Sequence, residues 1–129
     1  MCLGLDWGNL SEHNLPVAEE NTRIRTKMSQ KFMASRIQQL VHYIDFQIKE
    51  YHKYGFEILG IVGINRSPSC GVDTTSKNNQ ETEGEGIFIE ALRNELKTDM
   101  IHIEVVGINP WKPSKAVKVI KKLIEHCPA

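Results

Sequence analysis

A thiol preceded by two hydroxyls occurs at Ser67–Pro68–Ser69–Cys70–Gly71. A cysteine thiolate is both a nucleophile and a metal ligand, and a neighbouring cation such as Arg66 favours that form. Cys70 is therefore the candidate nucleophile or metal ligand; the competing reading is a turn cysteine with no role. Asn65, Arg66 and Ser69 are candidate substrate-binding residues, since an amide, a guanidinium and a hydroxyl can orient a polar molecule. Asn65 has an equally simple reading as the cap of the turn.

The element that must position these groups is the stretch just before them. Ile58, Leu59, Ile61, Val62 and Ile64 form a short apolar, β-branched run, which predicts a strand over Glu57–Ile64 buried on both faces. Pro68 cannot donate to a sheet ladder and Gly71 permits a turn, so the strand ends in a polar loop. In open α/β sheets, ligands bind outside the carboxyl ends of the strands. Cys70 stands at that place.

Other candidates are weaker. His13, His42, His52 and His126 show no metal-ligand spacing, and His102 alternates with Ile101 and Ile103 as a half-buried strand residue. Glu81, Glu83 and Glu85 lack the pattern of a calcium loop. Gly84–Glu85–Gly86 follows a loop rather than a strand, so it is no dinucleotide fingerprint. Lys112, Lys115, Lys118, Lys121 and Lys122 read as a wet helix face. Cys2 and Cys127 lie close to the chain ends.

Along the chain, Met1–Arg25 has no sustained period and reads as irregular, with Leu3, Leu5 and Trp7 available for packing. Met33, Ile37, Leu40, Val41, Ile44, Ile48 and Tyr51 recur at steps of three and four, which predicts a helix over Thr26–His52 stopped at Gly55. Gly71–Gly86 is polar throughout and predicts a mobile loop or lid. A helix is expected over Gly86–Lys97, with Phe88, Ala91, Leu92 and Leu96 inward. A strand is expected over Ile101–Gly107. After the Asn109–Pro110–Trp111 turn, Pro113 opens a helix to about His126 that buries Ala116, Val117, Ile120, Leu123 and Ile124.

Residues 1–129 read as one α/β domain, with helix–strand–helix–strand–helix over 26–126. The alternation points to a parallel sheet in a three-layer, Rossmann-like arrangement. Two strands are few for a parallel sheet covered on both faces. Residues before Trp7, a partner subunit, or a longer form of the domain would have to supply more.

Composition sets the outer bounds. At 40% hydrophobic and 25% charged residues, the chain is expected to fold. Basic and acidic residues balance at 16 each, which gives no electrostatic case for nucleic acid or a membrane surface. No apolar run reaches the roughly 20 residues that span a bilayer. The start, MCLGLDWGN, does not read as a signal peptide. Three widely spaced cysteines suit reduced thiols in the cytoplasm better than a disulfide framework.

The order Gly55–Gly60, Gly63–Val72 (GINRSPSCGV) and Gly84–Leu92 (GEGIFIEAL) resembles the TudS-like desulfidases, a family of thiouracil desulfurases and related desulfidases. The likeness spans roughly Arg25 to Val106, with Leu3–Asn9 (LGLDWGN) as a further candidate stretch. It implies an iron–sulfur enzyme in which three cysteines hold a [4Fe–4S] cluster. One iron is left open to take sulfur from a thiolated small molecule, such as a thiopyrimidine, without redox change. Cys70 matches the cluster ligand of the serine-proline-serine-cysteine motif, and Ser67 matches the serine thought to act in catalysis. The family's other ligands come from an N-terminal strand end and a cysteine-proline-glutamate tripeptide; here Cys2 is followed by Leu3 and Gly4. The resemblance therefore implies a chain N-terminally incomplete relative to the family. The alternatives are a non-catalytic binding or interaction module, completed by a second copy or partner chain, and a cluster-free thiol enzyme using Cys70.

Overall fold

Helix formation begins earlier than the hydrophobic pattern indicates. The computed structural model describes residues 17–125, and its first element is a helix over Val17–Met28 (α1). This corrects the reading of the whole of Met1–Arg25 as irregular. Glu19 and Glu20 lie in the first turn and Arg25 and Lys27 in the last, both favourable to the helix dipole. Glu20 pairs with Arg23 one turn on. Readings of Cys2, Cys127 and the stretch before Trp7 lie outside the described residues.

The helix expected over Thr26–His52 is interrupted. The Ser29 hydroxyl donates back to the Arg25 carbonyl at 3.1 Å, and Gln30 is extended. A second helix then runs Lys31–Lys53 (α2). It stops at Gly55, whose φ of +84° suits glycine. Gly55 N–H donates to the His52 carbonyl and Phe56 N–H to that of Tyr51, the paired bonds that satisfy a helix end.

The strand at Ile61–Ile64 (β1) is shorter than the apolar run, since Glu57–Gly60 lie outside it. It is also less enclosed. Ile61 packs on the core, whereas Val62 and Ile64 are both 43% exposed. The polar stretch after Cys70 is a hairpin rather than a loop or lid: Thr74–Lys77 (β2) pairs antiparallel with Gln80–Glu83 (β3). Asn78 and Asn79 supply the two left-handed residues that a tight hairpin turn needs. A third helix covers Ile87–Thr98 (α3), burying Ile89, Leu92 and Leu96. Val105–Ile108 (β4) pairs parallel with β1, Ile61 opposite Val105 and Ile64 opposite Ile108. The last helix, Pro113–Glu125 (α4), buries Ala116 and Leu123 only. Val117, Ile120 and Ile124, expected inside, are exposed. Among the described residues the parallel sheet has two strands, a surface narrower than the apolar stripe of α4.

The chain is thus a mixed α/β protein with a small parallel sheet. Its core joins Met28 of α1, Ile37, Val41 and Ile48 of α2, and Leu92 and Leu96 of α3, with Ile61 packed against them. Each such buried leucine contributes roughly 2 kcal/mol. Lys49 adds a polar tie, its Nζ lying 2.9 Å from both Asp45 of α2 and Asp99 at the end of α3. The polar faces of α1 and the hairpin meet directly. Asn21 donates to Ser76 Oγ at 3.2 Å, and Arg25 donates to Thr75 Oγ1 at 3.0 Å. That explains why α1 shows so little apolar period. No described helix is long and apolar enough to cross a membrane.

Candidate functional site

The carboxyl end of β1 turns sharply. Asn65 is buried, and Arg66 takes a left-handed φ of +73°, which costs a non-glycine residue roughly 1–2 kcal/mol. The hairpin holds that conformation. Arg66 N–H donates to the Thr74 carbonyl and Oγ1, both at 3.1 Å, and the Ser76 hydroxyl donates to the Arg66 carbonyl. Thr75 Oγ1 donates to the Ser67 carbonyl at 2.9 Å. Buried Thr75 and Ser76 thus serve as braces for the site loop.

The loop is equally tied to α3. Ile87 N–H donates to the Pro68 carbonyl at 2.9 Å, and Phe88 and Ile89 N–H groups both donate to the Ser69 carbonyl at 3.1 Å. These first-turn donors are spent on backbone oxygens and are not aimed at the thiol. The close approach requires Gly86, where a Cβ would overlap the Ser69 backbone, and Gly71, where it would overlap the Thr74 and Ser67 carbonyls.

Within the loop, Ser67, Ser69 and Cys70 come together. Ser67 Oγ accepts the Cys70 N–H at 3.1 Å and the Ser69 N–H at 3.3 Å, so it caps its own turn. Ser69 Oγ lies 3.2 Å from both Ser67 Oγ and the Cys70 Sγ. Ser69 is fully buried and reaches a ligand only through these neighbours, while Cys70 is half-buried. Asn65 is placed apart from the thiol. Its Oδ1 accepts the Val72 and Asp73 N–H groups at 3.3 and 3.0 Å, and its Nδ2 donates to Asp73 Oδ2 at 3.0 Å.

Arg66 points elsewhere, into a cleft of about 250 Å³ between α1, the end of β1 and the turn after β4. Its guanidinium lies 5.9 Å from the Trp111 ring centre, and its buried Nε–H has no hydrogen-bond partner. An unmet buried donor costs roughly 1–3 kcal/mol. Ile24, Ile64 and Trp111 make the apolar walls, and Asn21 and Ser67 lie at the margin. Trp111 and Asn21 escape a reading of the sequence alone. The available signal for Trp111 was an aromatic residue just past the second parallel strand.

A second cleft, of about 270 Å³, is lined by Phe46, Tyr51, Tyr54 and Phe56. It lies where the chain leaves α2 for the amino end of β1, away from the strand ends where α/β sheets bind ligands. The candidate site is therefore Arg66 with the Ser67–Cys70 loop. Elsewhere, Asp45, Glu95 and Asp99 bring carboxylates within 4.8 Å of one another. The Lys49 ammonium already lies between two of them, and together with Asp45 it holds the Asp99 carboxyl below the usual range. Lys49 is correspondingly pushed up.

A [4Fe–4S] cluster requires several thiolates. Among the described residues Cys70 is the one cysteine, and the Ser69 hydroxyl lies 3.2 Å from its sulfur. These residues do not by themselves fit a cluster. No protein-family model, curated protein or solved structure matches the chain.

Proposed function

We propose that this chain is a desulfidase-type protein of the TudS-like kind, binding a thiolated small molecule at the carboxyl ends of β1 and β4. The observation that carries this reading is the gathering of Ser67, Ser69 and Cys70 on a loop braced by both the hairpin and α3. In this reading Cys70 is the sulfur-side group, kept as a thiol in a reducing cytoplasmic compartment. Ser67 lies at the cleft margin as the catalytic residue nearest the ligand, and Asn65 and Ser69 position the loop. Arg66 orients the substrate from the facing wall. The same reading takes the sheet as part of a three-layer, Rossmann-like domain. The packing of Ile61 on the α2–α3 core, and of Leu123 of α4 against Gly60, supports it.

The experiment is anaerobic reconstitution of the purified chain with iron and sulfide, beside Cys70→Ser. Iron per chain and the visible charge-transfer band are read. A coloured species lost in Cys70→Ser supports the desulfidase reading, with further thiolates recruited from this chain or another. Loss of all iron from both proteins on desalting removes cluster chemistry from the proposal.

A second reading, an interaction module completed by another chain, is favoured by one observation. Among the described residues β1 pairs only with β4, and Val62, Ile64, Val117, Ile120 and Ile124 are exposed. Sedimentation at a series of concentrations tests it; a monomer throughout rules out a self-completed sheet.

A further inference from the structure

We infer that the Arg66–Trp111 cleft is an oxyanion site, and that its ligand is a single-ring molecule carrying a carboxylate. The inference deepens the reading of this cleft as the small-molecule site and rests on it for location alone. Three observations converge. The Arg66 Nε–H is buried without a partner, and among the described residues lining the cleft there is no carboxylate to neutralise the guanidinium. The planar guanidinium is a fork of donors that suits an oxyanion, a geometry that ammonium does not offer. The Arg66 backbone is held left-handed at φ +73°, a conformation that the protein maintains with bonds from Thr74 and Ser76. Strain maintained by its surroundings and aimed into a cleft is a mark of a working residue.

The rest of the cleft selects the body of the ligand. Trp111 lies against the guanidinium and is 54% exposed, leaving ring surface on which a flat molecule can stack. Ile24 and Ile64 are apolar. A cleft of about 250 Å³ is below the size that encloses drug-like ligands. One ring with one anionic end matches the walls, the charge and the volume.

The test is calorimetric titration of the intact chain with benzoate, with benzamide as the uncharged ring and with inorganic phosphate as the ringless oxyanion. Benzoate is expected to bind saturably, and benzamide and phosphate at least about tenfold more weakly. Arg66→Gly is expected to abolish benzoate binding while keeping or raising the thermal midpoint, because glycine adopts φ +73° without strain. The reconstitution with iron and sulfide does not read carboxylate binding, so the cluster reading and the oxyanion site fail separately. Benzamide binding as well as benzoate, or undiminished benzoate binding by Arg66→Gly, overturns the oxyanion site. Phosphate binding as tightly as benzoate overturns selection of a ring.

Discussion

Asn65 and Asp73 clasp each other twice. Asn65 Nδ2 donates to Asp73 Oδ2 at 3.0 Å, and Asn65 Oδ1 accepts the Asp73 N–H at the same distance. The clasp closes the loop that carries Cys70, joining the end of β1 to the start of the hairpin. Asn65→Ala leaves the buried Val72 N–H and the neighbouring Asp73 N–H without their acceptor and is expected to cost about 2 kcal/mol. Denaturant unfolding measures the loss. Alkylation of Cys70 by iodoacetamide should accelerate in the same variant, since the loop opens more often; an unchanged alkylation rate would detach Asn65 from control of the thiol.

Gly71→Ala and Gly86→Ala place a methyl group against backbone atoms of the site loop and cannot be relieved by moving a side chain. Each is expected to cost on the order of 3 kcal/mol. Gly55→Ala is the informative comparison. Its Cβ meets open space, so it pays only for its left-handed backbone, about 1 kcal/mol. Equal midpoints for all three variants in urea would contradict the close packing of the loop on α3.

Met100 occupies the left-handed position after α3, with φ +59° and a side chain 83% exposed. Its N–H donates to the Lys97 carbonyl, and Ile101 N–H to that of Leu96. This is the position at which helices favour glycine. Met100→Gly should stabilise the protein by about 1 kcal/mol, because the strain removed exceeds the added backbone freedom of the unfolded chain. A lower thermal midpoint would mean that the methionine side chain contributes packing.

The Lys49 bridge sets a pH dependence. Lys49, with Asp45 adding, holds the Asp99 carboxyl below its usual range. Its stabilising effect is therefore present above the ordinary aspartate value and is lost as the pH falls through the depressed one, below about pH 4. Lys49 is shifted upward, so its effect is complete below the ordinary lysine value and fades only as pH rises beyond about 10. Thermal midpoints of wild type and Asp99→Asn should converge on acidification and diverge at neutral pH. Parallel acid limbs would show that Asp99 carries none of the acid sensitivity.

Three helices and two strands are legible in the chain because their buried faces are apolar. Ile37, Val41 and Ile48 on α2, Leu92 and Leu96 on α3, and the β-branched residues of β1 and β4 repeat with the period of the element they occupy. The placing of Cys70 past a strand is legible for the same reason, since an apolar run ending in Pro and Gly marks its own boundary. Helix α1 and the hairpin are not legible as buried elements. They cover each other with Asn21, Arg25, Thr75 and Ser76, and polar residues announce burial only through partners distant in the chain. The same holds for the cleft. That Arg66 is strained, that its Nε–H is unmet and that Trp111 lies beside it follow from bringing the ends of β1 and β4 together in a parallel register. No local pattern encodes that register; hydrogen bonding between strands far apart in sequence decides it.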